Sequence, residues 1–282
     1  MYRIVKKKVL NPTVTLMEIY APAVAAKAEP GQFIILRVDS KGERIPLTVA
    51  DFDRSNGTVT IIFQIVGSTT EKLNHLNEGD SLCDFVGPLG RPTNTQGKNK
   101  VAVVGGGVGC AIAYPVAKKF HEQGAQVHSV IGFRNRDLVI LEDEFRIVSD
   151  KLLLMSDDGS CGEKGLVTDA LKRLIESGEK YDEVITIGPL IMMKFVCKLT
   201  KEYGIKTVAS MNPIMIDGTG MCGGCRLSVG GETKFACVDG PEFDGHLIDF
   251  DEAIARSSMY SDFERRRREE TCSLFKEANK NG

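Results

Sequence analysis

The stretch VAVVGGGVGCAIAYP, residues 101–115, decides the fold of this chain. A short apolar run ends in four glycines, Gly105, Gly106, Gly107 and Gly109, and a helix-like segment follows at residues 110–124. Glycine lets a backbone approach a phosphate closely, and the start of a helix presents unpaired N–H groups to an anion. The stretch therefore predicts a buried strand, a nucleotide-binding turn and a helix.

The glycine turn departs from the usual dinucleotide fingerprint. In the pattern G-x-G-x-x-G the last position is Cys110 here, and the next strand-like run, residues 126–133, contains no acid. The classical motif places an acid about 20 residues beyond the turn. These features indicate nucleotide binding of a non-standard kind. They leave open a turn that serves only tight packing of strand against helix.

Strands and helices alternate on both sides of this turn. Strand-like runs lie at residues 126–133, 151–156, 183–188 and 206–210, and helix-like runs at residues 110–124, 166–178 and 190–204. Alternation of this kind is typical of a parallel sheet covered by helices on both faces. We expect this doubly wound domain to span residues 98–212, after the polar boundary segment RPTNTQGKNK.

Residues 1–97 predict a small antiparallel β-barrel, because short runs rich in Val, Ile and Phe alternate with Gly, Asn, Asp and Pro. Arg44 and Thr48 lie four residues apart on one predicted strand and so share a face. Gly67, Ser68, Thr69 and Thr70 begin a short helix. Both features suit an anion, although ordinary helix capping also explains the hydroxyls.

Three of the eight cysteines cluster after the predicted sheet. DGTGMCGGC, residues 217–225, contains Cys222 and Cys225, and Cys237 follows. Clustered thiols in glycine-rich loops are typical of zinc and iron–sulfur sites, which take four ligands. The spacing alone leaves the metal and the fourth ligand open. We expect residues 213–282 to form a small metal-binding segment with a charged helical tail.

Composition excludes several classes of function. The chain has 282 residues, 26% charged and 42% hydrophobic, which is ordinary for a globular protein of roughly two domains. A formal net charge of −2 gives no reason to expect a nucleic-acid partner. The N-terminus lacks the apolar core of a signal peptide, and glycine and proline interrupt the longest uncharged run. We therefore expect a cytoplasmic chain without a membrane span.

Taken together, the motifs resemble a known family. RIPLT (residues 44–48), GSTT (residues 67–70) and GPLG (residues 87–90) resemble the flavin domain of ferredoxin–NADP reductases. The glycine turn with GFRNRDLVILEDEF (residues 132–145) resembles their nicotinamide domain. DDGSCGEKGLVTDAL, GPLIMMK and MNPIMIDGTGMCGGC narrow the resemblance to dihydroorotate dehydrogenase electron-transfer subunits, and most closely to the small subunits of NADH-dependent ferredoxin:NADP oxidoreductases. It covers nearly the whole chain.

The resemblance implies a six-stranded antiparallel FAD-binding barrel, a doubly wound NAD-binding domain and a small C-terminal iron–sulfur domain. It places Arg44 at the FAD pyrophosphate and Thr48 beside the reactive flavin nitrogen, in the catalytic role. The implied FAD contacts are Arg44, Pro46, Leu47, Thr48, Gly67, Ser68, Thr69 and Thr70. The implied NAD(H) contacts are Gly105, Gly106, Gly107, Gly109, Arg134, Asp157, Asp158 and Gly188.

The resemblance also implies a 2Fe–2S cluster held by Asp217, Cys222, Cys225 and Cys237. Subunits of the dihydroorotate type usually have a cysteine at the position of Asp217. By resemblance, an aspartate here is typical of the small subunits of NADH-dependent ferredoxin:NADP oxidoreductases. A carboxylate is a harder ligand than a thiolate and should favour the oxidised iron that it binds. A structural zinc knuckle with the same four ligands is the alternative.

The activity implied is that of an electron-transfer enzyme subunit. NADH would reduce FAD, and single electrons would leave through the cluster to a larger iron–sulfur flavoprotein of the glutamate-synthase type, in an electron-bifurcating complex that also uses ferredoxin. Two alternatives are a dihydroorotate dehydrogenase-type electron-transfer subunit and a non-catalytic nucleotide-binding regulator with a zinc knuckle. Arg134 and Arg136 follow the second strand, where an arginine could bind the 2′-phosphate of NADPH, so the residues alone do not decide between NADPH and NADH. The resemblance favours NADH.

Overall fold

The computed structural model describes residues 2–259 and residue 263. An antiparallel sheet comes first, with two short helices, α1 (Pro22–Ala25) and α2 (Ser68–His75), attached to it. Its strands are β1 (Tyr2–Asn11), β2 (Val14–Tyr20), β3 (Phe33–Arg37), β4 (Arg44–Asp53), β5 (Thr58–Gln64), β6 (Ser81–Leu82) and β7 (Asp84–Leu89).

The sheet is nearly closed. Its strand order is β6-β1-β2-β5-β4-β3-β7, so the two edge strands follow one another directly in the chain. The N–H of Cys83, between them, donates to the carbonyl of Arg37 on β3 at 3.1 Å. The predicted antiparallel barrel is confirmed, and the two-residue β6 adds to the six strands expected.

Alternating side chains fill the barrel. Val59, Ile61 and Phe63 are buried at every second position of β5, as expected when one face of a strand meets the core. They pack with residues of β1, β2, β3 and α2 in one apolar cluster. On the opposite face Thr58 and Thr60 are partly exposed, whereas Ile62 is buried in the cluster shared with the parallel sheet.

The second sheet has the order β11-β10-β9-β8-β12-β13-β16. Its strands are β8 (Lys100–Gly106), β9 (Gln126–Phe133), β10 (Lys151–Ser156), β11 (Glu163–Lys164), β12 (Glu183–Ile187), β13 (Thr207–Ser210) and β16 (Glu242–Asp244). All neighbours are parallel except β13 and β16, which are antiparallel. The chain reverses its winding direction at β8, which lies between β9 and β12.

Helices cover both faces of this sheet. They are α3 (Cys110–Glu122), α4 (Glu142–Val148), α5 (Val167–Glu176) and α6 (Leu190–Glu202). Val101 and Val103 of β8 join the core beneath α3 and α4, whereas Ala102 and Val104 join the core beneath α5 and α6. The doubly wound sheet is therefore confirmed. Its predicted strands and helices end within two residues of the expected positions, and α4 was not predicted.

The remaining chain forms a hairpin, β14 (Arg226–Val229) with β15 (Glu232–Phe235), then β16 and α7 (Phe250–Ser257). It packs on both preceding units, since Phe33 of the barrel and Met193 of α6 share one buried cluster with Cys225 and Cys237. The charged tail predicted beyond α7 lies largely outside the described residues, which lack 260–262 and 264–282.

The barrel and the parallel sheet share an apolar core. Val14, Ala50 and Ile62 of the barrel are buried in the same cluster as the α3 side of the sheet. Asp51 of β4 accepts hydrogen bonds from the Lys118 ammonium of α3 at 3.1 Å. Among the helices of the described residues, none combines the length and apolarity needed to cross a membrane.

Candidate functional site

A cleft of about 1080 Å³ opens between the barrel, the carboxyl ends of the parallel strands and the start of the C-terminal segment. In a doubly wound sheet, ligands bind where the winding direction changes, at the carboxyl ends of the strands. Eight of the residues expected to contact cofactors line this cleft: Pro46, Thr48, Gly106, Gly107, Gly109, Arg134, Asp157 and Gly188.

The glycine turn is pressed against β12. A Cβ atom on Gly109 would lie 2.6 Å from the Ile187 carbonyl oxygen, and one on Gly106 would collide with the Met192 sulfur. Gly107, with φ of +55°, has no atom within 4 Å of its Cβ position and faces open space. Backbone therefore approaches backbone on one side of the turn and is free to approach a ligand on the other. Gly105 lies behind the turn, buried in β8 against Cys110.

The two predicted aspartates differ in position. The N–H groups of Asp157 and Asp158 donate to the carbonyls of Phe133 and Arg134, which joins the loop after β10 to the end of β9. The Asp158 carboxylate accepts from the hydroxyl and N–H of Ser160 at 2.7 and 2.9 Å, and these bonds lower its pKa. Asp158 is thus engaged in its own loop, whereas Asp157 lines the cleft.

On β4 the predicted FAD residues fall on two faces. Arg44, Pro46 and Thr48 alternate along one face, and Pro46 and Thr48 line the cleft. Leu47 packs against the barrel core from the opposite face. Arg44 is exposed and, within the described residues, belongs to none of the ion pairs.

The start of α2 lies beside the Arg44 end of β4. Thr69 donates from its hydroxyl to the carboxylate of Glu43 at 3.1 Å, and Glu43 immediately precedes Arg44. The Thr70 hydroxyl oxygen accepts from the N–H of Gly67 at 3.0 Å, which caps the helix. The residues Gly67–Thr70 thus lie close to Arg44 but do not line the cleft.

An elongated ligand fits the exposed face of β4. Four residues of extended chain separate Arg44 from Thr48, which corresponds to about 13 Å. A phosphate group at the arginine and a flat ring system at Thr48 would lie along this face. The exposed Arg44 cation at one end and the open cleft at the other are compatible with FAD.

The cysteine loop brings the four proposed ligands into one neighbourhood. The sulfur atoms of Cys225 and Cys237 lie 3.2 Å apart and are buried, whereas Cys222 is exposed. Two thiolates on one tetrahedral metal, with bonds of about 2.3 Å, are separated by about 3.8 Å. The Asp217 carboxylate accepts from the N–H groups of Thr219 and Cys222 at 3.0 and 2.8 Å.

These four groups fit a thiolate-rich centre without forming a complete one. Across residues 2–259, no three side chains of His, Cys, Asp or Glu converge at metal-ligand distance. Burial, together with the neighbouring Cys225 thiol, raises the pKa of Cys237 well above its usual range. A metal that binds this sulfur pair would have to displace the thiol proton.

Sequence reasoning missed part of the cleft wall. Asn11, Thr13 and Gln64 of the barrel line it, as do Met192 and Phe195 of α6. Asn11 lies at a strand end before a proline, which predicts a turn. This local signal does not indicate that the residue faces the parallel-sheet domain. In the sequence, the α6 residues fit the pattern of an ordinary apolar helix face. They line the cleft because α6 packs beside the glycine turn.

Comparisons with known proteins agree with this architecture. Residues 212–249 match the iron–sulfur cluster binding domain of dihydroorotate dehydrogenase B. A dihydroorotate dehydrogenase B (NAD⁺) electron transfer subunit homolog of Thermotoga maritima is 47% identical over 262 residues, which cover 93% of this chain and 92% of the relative. A ferredoxin reductase of a carbazole 1,9a-dioxygenase is 18% identical with a TM-score of 0.61, covers 72% of this chain and 65% of its own, and shows the fold alone.

A further solved structure is similar over almost the whole length. It is that of an NADH-dependent reduced ferredoxin-NADP oxidoreductase, studied for flavin-based electron bifurcation. It is 43% identical, with a TM-score of 0.91 over 98% of both chains. The predicted resemblance is thereby confirmed. The chain is an oxidoreductase subunit with a ferredoxin reductase-like fold for FAD and NAD(H) and an iron–sulfur cluster binding domain, and it belongs to the family of dihydroorotate dehydrogenase B electron transfer subunits.

Proposed function

We propose that this chain is the NADH-oxidising small subunit of an electron-bifurcating ferredoxin:NADP oxidoreductase. In this function it passes electrons one at a time to a larger iron–sulfur flavoprotein subunit of the glutamate-synthase type, and ferredoxin reacts with the complex. The similarity to the bifurcating oxidoreductase over 98% of the chain supports this proposal.

One observation carries the proposal. A single cleft is lined by Thr48 of the barrel, by the glycine turn of the sheet and by residues 211–213 and 215, which lead directly into the cysteine loop. Three regions that would each hold one redox group therefore meet at one place. A nucleotide-binding regulator would need only the glycine turn.

The residues in the cleft and beside it have distinct proposed roles. Arg44, with the start of α2, neutralises the FAD pyrophosphate. Thr48 holds a hydrogen bond at the flavin ring, and Pro46 supports the ring face. The glycine turn and Gly188 admit the phosphates of NAD(H), while Arg134 and Asp157 flank its ribose. When bound, FAD supplies hydride acceptance and the iron–sulfur cluster supplies one-electron transfer.

The cysteine loop determines the nature of the metal centre. We propose that Asp217, Cys222, Cys225 and Cys237 ligate a 2Fe–2S cluster. The buried sulfur pair supplies the soft donors that iron–sulfur units prefer, and Asp217 supplies the single oxygen donor. The match of residues 212–249 to an iron–sulfur domain favours iron over the zinc alternative.

Spectroscopy of the purified chain tests the proposal directly. We expect a yellow-brown protein with flavin absorption, two irons and no zinc, whose flavin is reduced faster by NADH than by NADPH. A colourless zinc protein would contradict the proposal.

A pair of variants tests the role of Thr48. Replacing it by valine should slow reduction of the bound flavin at least about 10-fold, because a hydrogen bond to a charged group contributes about 1.5–3 kcal/mol. Thr60→Val, on β5 outside the cleft, is the matched control and should leave the rate unchanged. Equal rates of flavin reduction in the two variants would show that Thr48 does not contact the flavin.

A dihydroorotate dehydrogenase-type electron transfer subunit is the second candidate. It is favoured by the curated relative that is 47% identical over 93% of the chain. Purification from the native cell separates the two functions. A copurified iron–sulfur flavoprotein that reduces NADP⁺ supports the first, and a copurified dihydroorotate dehydrogenase supports the second.

A further inference from the structure

Both faces of strand β3 are buried, although the strand belongs to the wall of a barrel. Ile34 points into the barrel core. Phe33 and Ile35, on the outer face, are each only 3% exposed and share one apolar cluster with Cys225 and Cys237. The outer face of an antiparallel sheet commonly meets water. Here the C-terminal segment that carries the cysteines covers it instead.

The covered face continues directly into the cleft. Phe33 is the register partner of Thr48, and Ile35 is the register partner of Pro46, on the neighbouring strand β4. Register partners in an antiparallel pair lie on the same face of the sheet. Thr48 and Pro46 line the cleft, and adjacent strands are about 4.8 Å apart. The width of one strand therefore separates the proposed flavin position from the side chains that the cysteine segment covers.

Gly218 makes the contact between the cysteine loop and this face. It directly follows Asp217 and has a φ of +75°. A Cβ atom on Gly218 would lie 2.7 Å from Cδ1 of Leu89 and 2.8 Å from Cδ1 of Ile35. Carbon atoms in contact are normally about 3.5–4.0 Å apart, so a side chain here would push the loop away from the barrel. The glycine thus sets how closely the loop lies on the barrel wall.

We propose that Phe33, Ile35 and Leu89 form an apolar partition between the flavin site and the metal centre, on which Gly218 seats the cysteine loop. The proposal rests on the proposed function. Ile35 is its positioning residue, because it meets the loop at Gly218 and is paired with Pro46 on the cleft side. None of the three partition residues carries a polar group. An apolar shell of this kind controls the access of solvent to a metal centre and thereby its reduction potential.

The partition lies where electrons leave the flavin in the proposed reaction. The hydride that NADH gives to the flavin brings two electrons, which cross the partition one at a time. The flavin is oxidised, the cluster is reduced, and the proton that the flavin gives up leaves through the open cleft. Reduction adds negative charge to the thiolate-bound centre, and a polar neighbour stabilises that charge. A hydroxyl group placed in the partition should therefore raise the reduction potential of the cluster.

Two variants of nearly equal shape test the polarity of the partition in the full chain loaded with its cofactors. Ile35→Val and Ile35→Thr both remove the Cδ1 atom that meets Gly218, and only threonine adds a hydroxyl. A redox titration followed by electron spin resonance should give a higher cluster potential for Ile35→Thr than for Ile35→Val. The same two substitutions at Ile34, on the barrel-core face, are the matched control and should give equal potentials.

Gly218→Ala tests the seat of the loop. It should lose iron to a chelator about 10-fold faster than the wild type, because disturbing the surroundings of metal ligands commonly weakens metal binding by about 10-fold or more. Gly231→Ala is the matched control. Its φ of +80° imposes a similar backbone strain, but no atom lies within 4 Å of its Cβ position. It should lose iron at the rate of the wild type.

The outcomes separate the partition from the proposed function. If the chain holds flavin and cluster but Ile35→Thr and Ile35→Val have the same cluster potential, the partition is refuted and the proposed function stands. An equal difference between the two Ile34 variants would also refute it, since the effect would then come from the barrel as a whole. Equal iron loss in Gly218→Ala and Gly231→Ala would refute the seat. A wild-type chain that binds neither flavin nor iron would overturn the proposed function and the partition with it.

Discussion

The molecule contains two glycine-rich loops that reach their geometry in opposite ways. In the glycine turn, residues 105–109, backbone packs on backbone, and a Cβ on Gly109 would lie 2.6 Å from the Ile187 oxygen and 2.7 Å from the Gly188 Cα. In the cysteine loop, residues 217–225, three glycines adopt positive φ, and the sulfur of Cys225 contacts the sulfur of Cys237, which lies beyond the loop.

The glycine turn is therefore a site whose geometry the fold sets, whereas the cysteine loop is a site that its ligand would complete. Parallel strands hold the glycine turn in place whether or not a nucleotide is bound. The cysteine loop positions two buried sulfurs, but Cys222 stays exposed and Asp217 binds backbone N–H groups. Under the proposed ligand set, metal binding would bring these two residues to the sulfur pair. Substitutions in the first region should therefore act on folding, and those in the second on the metal.

The largest effect is expected for Gly109→Val. The new side chain would collide with the backbone of Ile187 and Gly188, so we expect a loss of about 3 kcal/mol or more in unfolding free energy and of NADH binding. Thermal unfolding and calorimetric titration measure both. Gly124→Asn is the control, because its φ of +81° suits asparagine and no atom lies within 4 Å. An unchanged melting temperature for Gly109→Val would contradict a turn made by packing.

Cys225→Ser should remove the cluster and largely preserve the fold. Iron content is expected to fall close to zero, since one of two adjacent sulfur donors is lost, while far-UV circular dichroism stays native. Cys197→Ser is the matched control, because Cys197 is buried in the same apolar cluster outside the loop. It should keep its iron. Equal iron loss in both variants would show that the effect is one of packing.

Glu242 lies on β16, which joins the cysteine segment to the sheet of the glycine turn. Burial raises its pKa from 4.5 to about 7, with a further increase from Glu183, while the hydroxyl of Thr93, 2.6 Å away, lowers it. The folded chain binds this proton more tightly than the unfolded chain, so stability falls as pH rises from about 4.5 to about 7.

Glu242→Gln should remove this dependence. Between pH 5 and pH 8 the wild type should lose about 3 kcal/mol of unfolding free energy relative to the variant, since each pKa unit corresponds to about 1.4 kcal/mol. Urea unfolding at four pH values measures the difference, with the exposed Glu232→Gln as control. Parallel pH profiles for wild type and Glu242→Gln would show that folding does not raise the pKa of the Glu242 carboxyl.

The smallest effect is expected for Asp217→Cys, which should keep the iron and change only its properties. A carboxylate favours oxidised iron, so its replacement by a thiolate should raise the reduction potential, on the order of 100 mV. Electron spin resonance and a redox titration measure the change. Asp251→Cys, at an 81% exposed side chain, is the control. An unchanged spectrum and potential in Asp217→Cys would exclude Asp217 as a ligand.

Much of the architecture was predictable because it is encoded locally. The valine, isoleucine and phenylalanine residues of β5 and the glycines at the end of β8 indicate the local backbone from residues that are close in the chain. The same holds for the cysteines, whose spacing within one loop indicated a metal site before any contact was known. Six of the eight proposed cofactor residues that line the cleft come from the doubly wound sheet, which places its strand ends together.

The rest required the packed molecule. Leu47 follows Pro46 in a motif predicted to contact FAD, yet the period of two turns its side chain into the barrel core. Asp157 and Asp158 are indistinguishable in sequence, and hydrogen bonds to Ser160 engage only the second. Such outcomes depend on neighbours that are distant in the chain or on turn geometry, which local patterns do not record.

The sequence by itself determined the order of strands and helices, the glycine turn and the thiol-rich loop, because each depends on residues that are close in the chain. Tertiary structure alone decided that Thr48, the glycine turn and the start of the cysteine segment share one cleft. It also decided that Phe195, part of an ordinary apolar helix pattern, stands half-exposed on the cleft wall. The physical reason is that burial is a property of opposing surfaces, and two surfaces meet only when the whole chain has packed.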